Sequence, residues 1–334
     1  MNTRSRSVLV NPATPVRSRA AASLIMRLGV AVLLLGVLPL GVSGCARPSV
    51  SRLSPEARAE VVAIGREIDA TALTTGVTTE VGSVEDIVVP APGMGPGASG
   101  VPCRVYRPLG PAAMGTVVFV HGGAWVAGSV RSHDNMARLL CAAAHTNVVS
   151  VEYTRTPDAM YPTQLNEVRS VIRWLTLGSP YDAPLAICGD SAGGNMAAVL
   201  AREAPPGRFA IAVLINPVVD LTLSTLKDPE VRGFSQMMVN AYLPTNTDAT
   251  DPGVSPLLSA VPPHHPPTFI AIGDTDVWRA EQDLYAEKLR AADVKLEVFR
   301  APTGHLGPDG AAATPTAIPT LTAAAEAIKA AFGG

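Results

Sequence analysis

The chain has 334 residues, of which 16% are charged, and a net charge of −2. That length accommodates one large α/β domain or two small ones. The near-neutral balance leaves no basic footprint for nucleic acid, so no nucleic-acid partner is expected. Only Lys227, Lys288, Lys295 and Lys329 supply lysine among 26 basic residues, a bias read as belonging to the coding genome rather than to function.

Residues 1–44 read as a leader rather than as part of the fold. Arg4, Arg6, Arg17, Arg19 and Arg27 form a positive region without an acid, followed by an apolar run from Leu28 to Val42. That run is short for a spanning helix, is interrupted by Pro39, and has the length of a signal-peptide core. It ends in Val42-Ser43-Gly44-Cys45, which resembles the lipobox of bacterial lipoproteins. The resemblance implies cleavage before Cys45, lipidation of that cysteine, and an exported protein held at the outer face of the cell membrane. An ordinary secretory signal and a retained membrane anchor are the alternatives. Met26-Arg27 would itself make a compact start, which leaves Met1 and Met26 as alternative initiators. The remaining Cys103, Cys141 and Cys188 are an odd number, compatible with one disulfide and one free thiol or with none. No Cys/His spacing suggests a metal site.

Residues 45–54 read as a tether and 55–334 as one α/β domain. Ser54-Pro55 with Glu56 signals a helix start, and Val61, Ile64 and Ile68 at helical spacing carry the helix to Asp69. Val84–Val89 and Gly100–Tyr106 read as strands joined by a Pro/Gly-rich loop, forming an antiparallel hairpin at one sheet edge. From Thr116 strands and helices alternate. Strands are expected at 116–120, 147–152, 185–188, 209–214, 268–272 and 295–299. Helices are expected at 134–145, 164–175, 195–202, 279–292 and 317–332. Continuous Val/Ile/Leu strands in that rhythm indicate a mostly parallel sheet covered on both faces, with chemistry at the carboxyl ends of the strands. The stretch 221–267 breaks the rhythm and is expected to be a cap insertion lining a pocket, with a disordered loop as the alternative.

Gly189-Asp190-Ser191-Ala192-Gly193 stands between a buried strand and a helix, the context of a nucleophile elbow. Side chains at Gly189 or Gly193 are expected to collide with the neighbouring strand and helix. The alternative, a glycine turn binding phosphate, is disfavoured because Asp190 puts a negative charge where phosphate would sit. A serine nucleophile needs a base, an acid to orient it, and donors for an oxyanion. His121-Gly122-Gly123-Ala124-Trp125 follows the first parallel strand, and its glycines let amides point into a cavity; Ala192 would complete the hole. His121 is read as a brace for that loop. Asp274 and Asp276 both follow the strand 268–272, and Asp276 is favoured as the orienting acid. His305, in a Gly-flanked loop after the last strand, is the expected base.

These motifs resemble the α/β-hydrolase esterases of the bacterial hormone-sensitive-lipase type, over roughly Val101 to Phe332. Tyr153-Thr-Arg-Thr-Pro157 and Tyr161-Pro162 resemble the family's loop after the strand ending at Glu152. The resemblance implies an α/β-hydrolase fold, Ser191 as nucleophile, His305 as base and Asp276 as its partner. It implies amide donors from Gly123, Ala124 and Ala192 with Gly122 shaping the turn, esters of small acyl groups as substrates, and no cofactor. Ala124 replaces a family glycine, so its methyl is expected to narrow the pocket, and Leu306-Gly307 departs from the family pattern after the histidine. The expected function is a serine carboxylester hydrolase. Alternatives are an amidase or arylformamidase on the same triad and a non-catalytic binding lipoprotein.

Overall fold

The computed structural model describes residues 53–72, 78–91, 100–181, 184–305 and 316–333. The leader, Cys45, most of the tether and Leu306-Gly307 lie outside the described residues.

Eight strands make one sheet: β1 (Ser83–Val89), β2 (Val101–Arg107), β3 (Thr116–Val120), β4 (Asn147–Val151), β5 (Leu185–Asp190), β6 (Ile211–Ile215), β7 (Thr268–Gly273) and β8 (Leu296–Ala301). Their spatial order is β1-β2-β4-β3-β5-β6-β7-β8. β1 pairs antiparallel with β2, and β2 with β4; all later pairs are parallel. The β1–β2 hairpin therefore forms one edge, and the exposed residues along β1 fit that place.

The central strands are buried on both faces because their side chains alternate between two cores. Val118, Val120, Leu185, Ile187 and Leu214 face one core, together with α3 (Thr163–Leu175), α4 (Ser191–Glu203) and α6 (Arg279–Ala291). Val117, Phe119, Ala186, Cys188 and Val213 face the other, covered by α2 (Asp134–Ala144) and α7 (Ile318–Ala331). Each fully buried Val, Leu or Ile contributes about 1.5–3 kcal/mol relative to exposure. The three described cysteines, Cys103, Cys141 and Cys188, are buried and free; Cys188 packs as a small apolar residue in β5.

A third, smaller core lies above the strand ends. Val61 of α1 (Pro55–Ala72) packs with Val126, Ala127, and Met238 and Ala241 of α5 (Pro229–Tyr242). Ser54 caps α1 by accepting the Ala57 amide at 3.2 Å. Asp228 caps α5, accepting the amides of Glu230 and Val231, with Pro229 in the first turn. The stretch 221–267 thus carries α5 and a short 3₁₀ turn, Pro256–Leu258. No helix among the described residues is long and apolar enough to cross a membrane.

Candidate active site

β5 runs into α4 without a linker, and Ser191 takes the turn between them with a φ of 51°. The helix begins at Ser191, earlier than the expected 195, because Gly193 and Gly194 are helical. A Cβ on Gly189 would meet the Gly193 carbonyl, and one on Gly193 would meet the carbonyl oxygens of Val120 and His121. Both glycines therefore permit the close approach that holds Ser191 in a left-handed conformation unusual for a side-chain-bearing residue.

Ser191 Oγ stands 2.8 Å from His305 Nε2. The other imidazole nitrogen, Nδ1, lies 3.0 and 3.1 Å from the two oxygens of Asp276. Three strand ends, those of β5, β7 and β8, meet in this relay. Asp276 is buried, and its carboxylate also accepts Asn216 Nδ2 at 2.7 Å, Gln282 Nε2 at 2.8 Å and the Trp278 amide at 2.9 Å. Asp274, two residues away, is exposed. Burial alone would raise the Asp276 carboxyl, but the His305 charge and these donors outweigh it and hold it below its ordinary value. Burial alone would likewise lower His305; the Asp276 charge and hydrogen bond, with a further contribution from Asp190, leave it above the ordinary imidazole value.

The His121–Gly128 loop follows β3. Gly123, Ala124 and Trp125 all have positive φ (116°, 52° and 62°), and these three line the same cavity as Ser191. Among the described residues the amides of Gly123 and Ala124 donate to no protein acceptor. Gly122 differs: its amide donates to Asp190 Oδ1 at 3.0 Å, so it shapes the loop and is not an oxyanion donor. Asp190 Oδ2 lies 3.4 Å from His133 Nε2. His121 is fully buried, stacks on Tyr153 at 4.2 Å, and places Nδ1 2.9 Å from the Gly122 carbonyl. Burial and the nearby His133 hold its pKa well below the ordinary imidazole value, which suits a brace and not a base.

Ser191, Ala192 and His305 open on a cavity of about 260 Å³. Its walls are mostly apolar: Ala124, Trp125, Val218, Phe234, Met238, Val277 and Trp278. Ile68 and Asp69 of α1 complete it. The sequence reading missed α1 as a wall, because helical spacing says nothing of where a helix docks. It also missed Asn216 and Gln282. Asn216 follows β6 directly and has a φ of 45°, a conformation that asparagine tolerates better than most residues. Among the described residues no cluster of His, Cys, Asp or Glu could hold a metal ion.

Fold and site together define the class, a serine hydrolase on a doubly covered, mostly parallel sheet. The sequence pattern of the alpha/beta hydrolase fold family matches residues 117–305, more than half of the chain, and the chain belongs to that family. It is 29% identical to the carboxylic ester hydrolase LipN of Mycobacterium tuberculosis over 238 residues, covering 64% of this chain and 61% of that protein. It is 31% identical to an ethyl acetate hydrolase of Pseudomonas putida over 225 residues, 60% of this chain and 69% of that one. A solved esterase from Pyrobaculum calidifontis superposes with a TM-score of 0.68 at 27% identity, covering 82% of this chain and 92% of that one.

Proposed function

We propose that the chain is a serine carboxylester hydrolase acting on short-chain acyl esters. The observation that carries this reading is the continuous relay Ser191–His305–Asp276 beside the uncommitted amides of Gly123 and Ala124. Relatives named as a carboxylic ester hydrolase and an ethyl acetate hydrolase support the reaction class. His305 takes the Ser191 proton as Oγ attacks the ester carbonyl, and Asp276 stabilises the resulting imidazolium. The tetrahedral oxyanion is received by the amides of Gly123, Ala124 and Ala192. Collapse expels the alcohol, which takes the proton from His305, and water resolves the acyl-enzyme by the same route. The cavity is at the small end of ligand sites, which supports a short acyl group, and the Ala124 methyl occupies part of its wall.

Residues 1–44 act as a lipoprotein leader in this proposal, Cys45 is lipidated, and 45–54 tether the hydrolase to the outer face of the cell membrane. The lipobox-like Val42-Ser43-Gly44-Cys45 supports this. Within the domain, 221–267 serve as a small cap.

Ser191→Ala should abolish turnover of p-nitrophenyl acetate and butyrate while the fold persists, and should remove labelling by a fluorophosphonate probe. Near-native activity in that variant would sink the mechanism. Metabolic fatty-acid labelling of wild type but not of Cys45→Ala is expected; equal labelling of both would refute the anchor.

A further inference from the structure

We propose that Asp69, on the N-terminal helix α1, is a positioning residue for the oxyanion loop, so that α1 is part of the catalytic unit and more than a pocket wall. The inference rests on the functional reading above.

The loop from Gly122 to Gly128 is held by a carboxylate at each end. At its start the Gly122 amide donates to Asp190, which belongs to the body of the fold. At its end the Gly128 amide donates to Asp69 Oδ1 at 2.7 Å, across 59 residues of sequence. Between these points the loop is closed on itself. The Gly123 carbonyl accepts the amides of Val126 and Ala127 at 3.0 and 2.8 Å. A Cβ on Gly128 would meet the Gly122 carbonyl oxygen, so the two ends pack against each other. A loop of this kind moves as one piece, and the anchor at Gly128 sets where the Gly123 and Ala124 amides point.

α1 is built to reach that anchor. A Cβ at Gly65 would stand 2.7 Å from the Val126 carbonyl oxygen, so only glycine lets the helix lie directly on the loop. Arg58 Nη2 donates to the Pro157 carbonyl at 2.8 Å, fixing the helix further along its length. A carboxylate bordering the cavity would by itself oppose a developing oxyanion. Arg155 Nη1 pairs with Asp69 Oδ2 at 2.8 Å and offsets that charge. The neighbouring Thr156 amide donates to the Trp125 carbonyl at 2.9 Å, so the pair is registered to the same loop.

Oxyanion donors act in the transition state, and a displacement of about 1 Å in such a site costs on the order of 10²-fold. In the full chain purified in detergent, Asp69→Ala should lower kcat on p-nitrophenyl butyrate by about 10- to 100-fold, with KM within about 2-fold. The inhibition constant of phenylboronic acid, which places an oxygen in the oxyanion position, should rise in step with the loss in kcat/KM. Asp69→Asn, which keeps an oxygen for the Gly128 amide, should recover most of kcat. Gly65→Ala favours the helix but pushes it off the loop, and should give the same kcat-selective loss even if Asp69→Ala does not fold. An unchanged kcat in Gly65→Ala or in folded Asp69→Ala would overturn the inference, as would a loss confined to KM. A wild type that neither turns over esters nor takes a fluorophosphonate label would bring down the functional reading and this inference with it. An active, labelled wild type beside unaffected variants would bring down this inference alone.

Discussion

Replacing Asp276 by asparagine tests the relay most sharply, because the surrounding donors dictate how the amide must sit. Asn216 and Gln282 both donate to Oδ2, so the new amide oxygen is pinned at that position. Its NH₂ then takes the place of Oδ1, facing the Trp278 amide, 2.9 Å from Oδ1, and His305 Nδ1, 3.1 Å away. The reverse orientation would set two donors against NH₂ instead of one. His305 Nδ1 then faces the pinned amide oxygen at 3.0 Å and the NH₂ at 3.1 Å. The tautomer with its proton on Nε2, which cannot accept the Ser191 proton, is therefore no longer disfavoured, and the charge that stabilises the imidazolium is lost. In a triad of this kind the Asp-to-Asn change costs about 10⁴-fold in kcat, or roughly 5–6 kcal/mol of transition-state stabilisation. A second signature follows from charge. Asp276 holds His305 above its ordinary pKa, so wild-type kcat/KM should fall on the acid side as the base protonates at a pH above the ordinary imidazole value. In Asp276→Asn that raising influence is gone, and the acid limb of the residual activity should move to lower pH. The assay is initial-rate hydrolysis of p-nitrophenyl butyrate between pH 5 and 9, with Asp274→Asn as the control. Asp274 is exposed, and its substitution should leave kcat within about 2-fold. Retention of more than about a tenth of kcat by Asp276→Asn, with the acid limb unmoved, would refute the reasoning.

Gly193→Ala would drive a methyl onto the Val120 and His121 carbonyls, and should cost about 3 kcal/mol or more, read as a fall in Tm or as insoluble protein. Glu281 is buried, accepts the Val219 amide at 2.6 Å, and is pushed up to about 8 chiefly by burial and in part by the Asp220 charge. The folded state therefore holds its proton more tightly than the unfolded chain. That stability is complete below about pH 4.5 and is lost as pH rises towards 8. Glu281→Gln should accordingly flatten the dependence of Tm on pH across this window, and an unchanged slope would refute the assignment. Burial pushes the Cys103 and Cys141 thiols up to about 12 and raises Cys188 as well. Residues 46–334 should therefore yield no reactive thiol when native and three on unfolding without reductant; fewer than three would reveal a disulfide.

The sequence by itself determined the order of the elements and the chemistry they carry. Uninterrupted Val/Ile runs such as Val117–Val120 can be satisfied only by burial on both faces, so a parallel sheet was legible from pattern alone. Gly189-x-Ser191-x-Gly193, the Gly122-Gly123 pair and a lone histidine in a Gly-flanked loop after the last strand were legible because they are local. A backbone conformation or a strand-end position is encoded within a few residues. Helix starts were less so: α4 begins at Ser191 because the elbow glycines are themselves helical, although glycine is a poor helix former.

What only the tertiary structure decided are the contacts between distant segments. The choice of Asp276 over Asp274 rests on burial and on donors from Asn216 and Gln282, which lie on two different elements. Gly122 shares a motif with Gly123, yet its amide is committed to Asp190 across 68 residues. The docking of α1 on the oxyanion loop depends on Gly65 and Asp69, which form no recognisable pattern, and on Arg155, whose loop is recognisable but whose partner on α1 is not. Periodicity encodes which face of a helix is apolar, but the partner of that face is set by the packing of the whole chain.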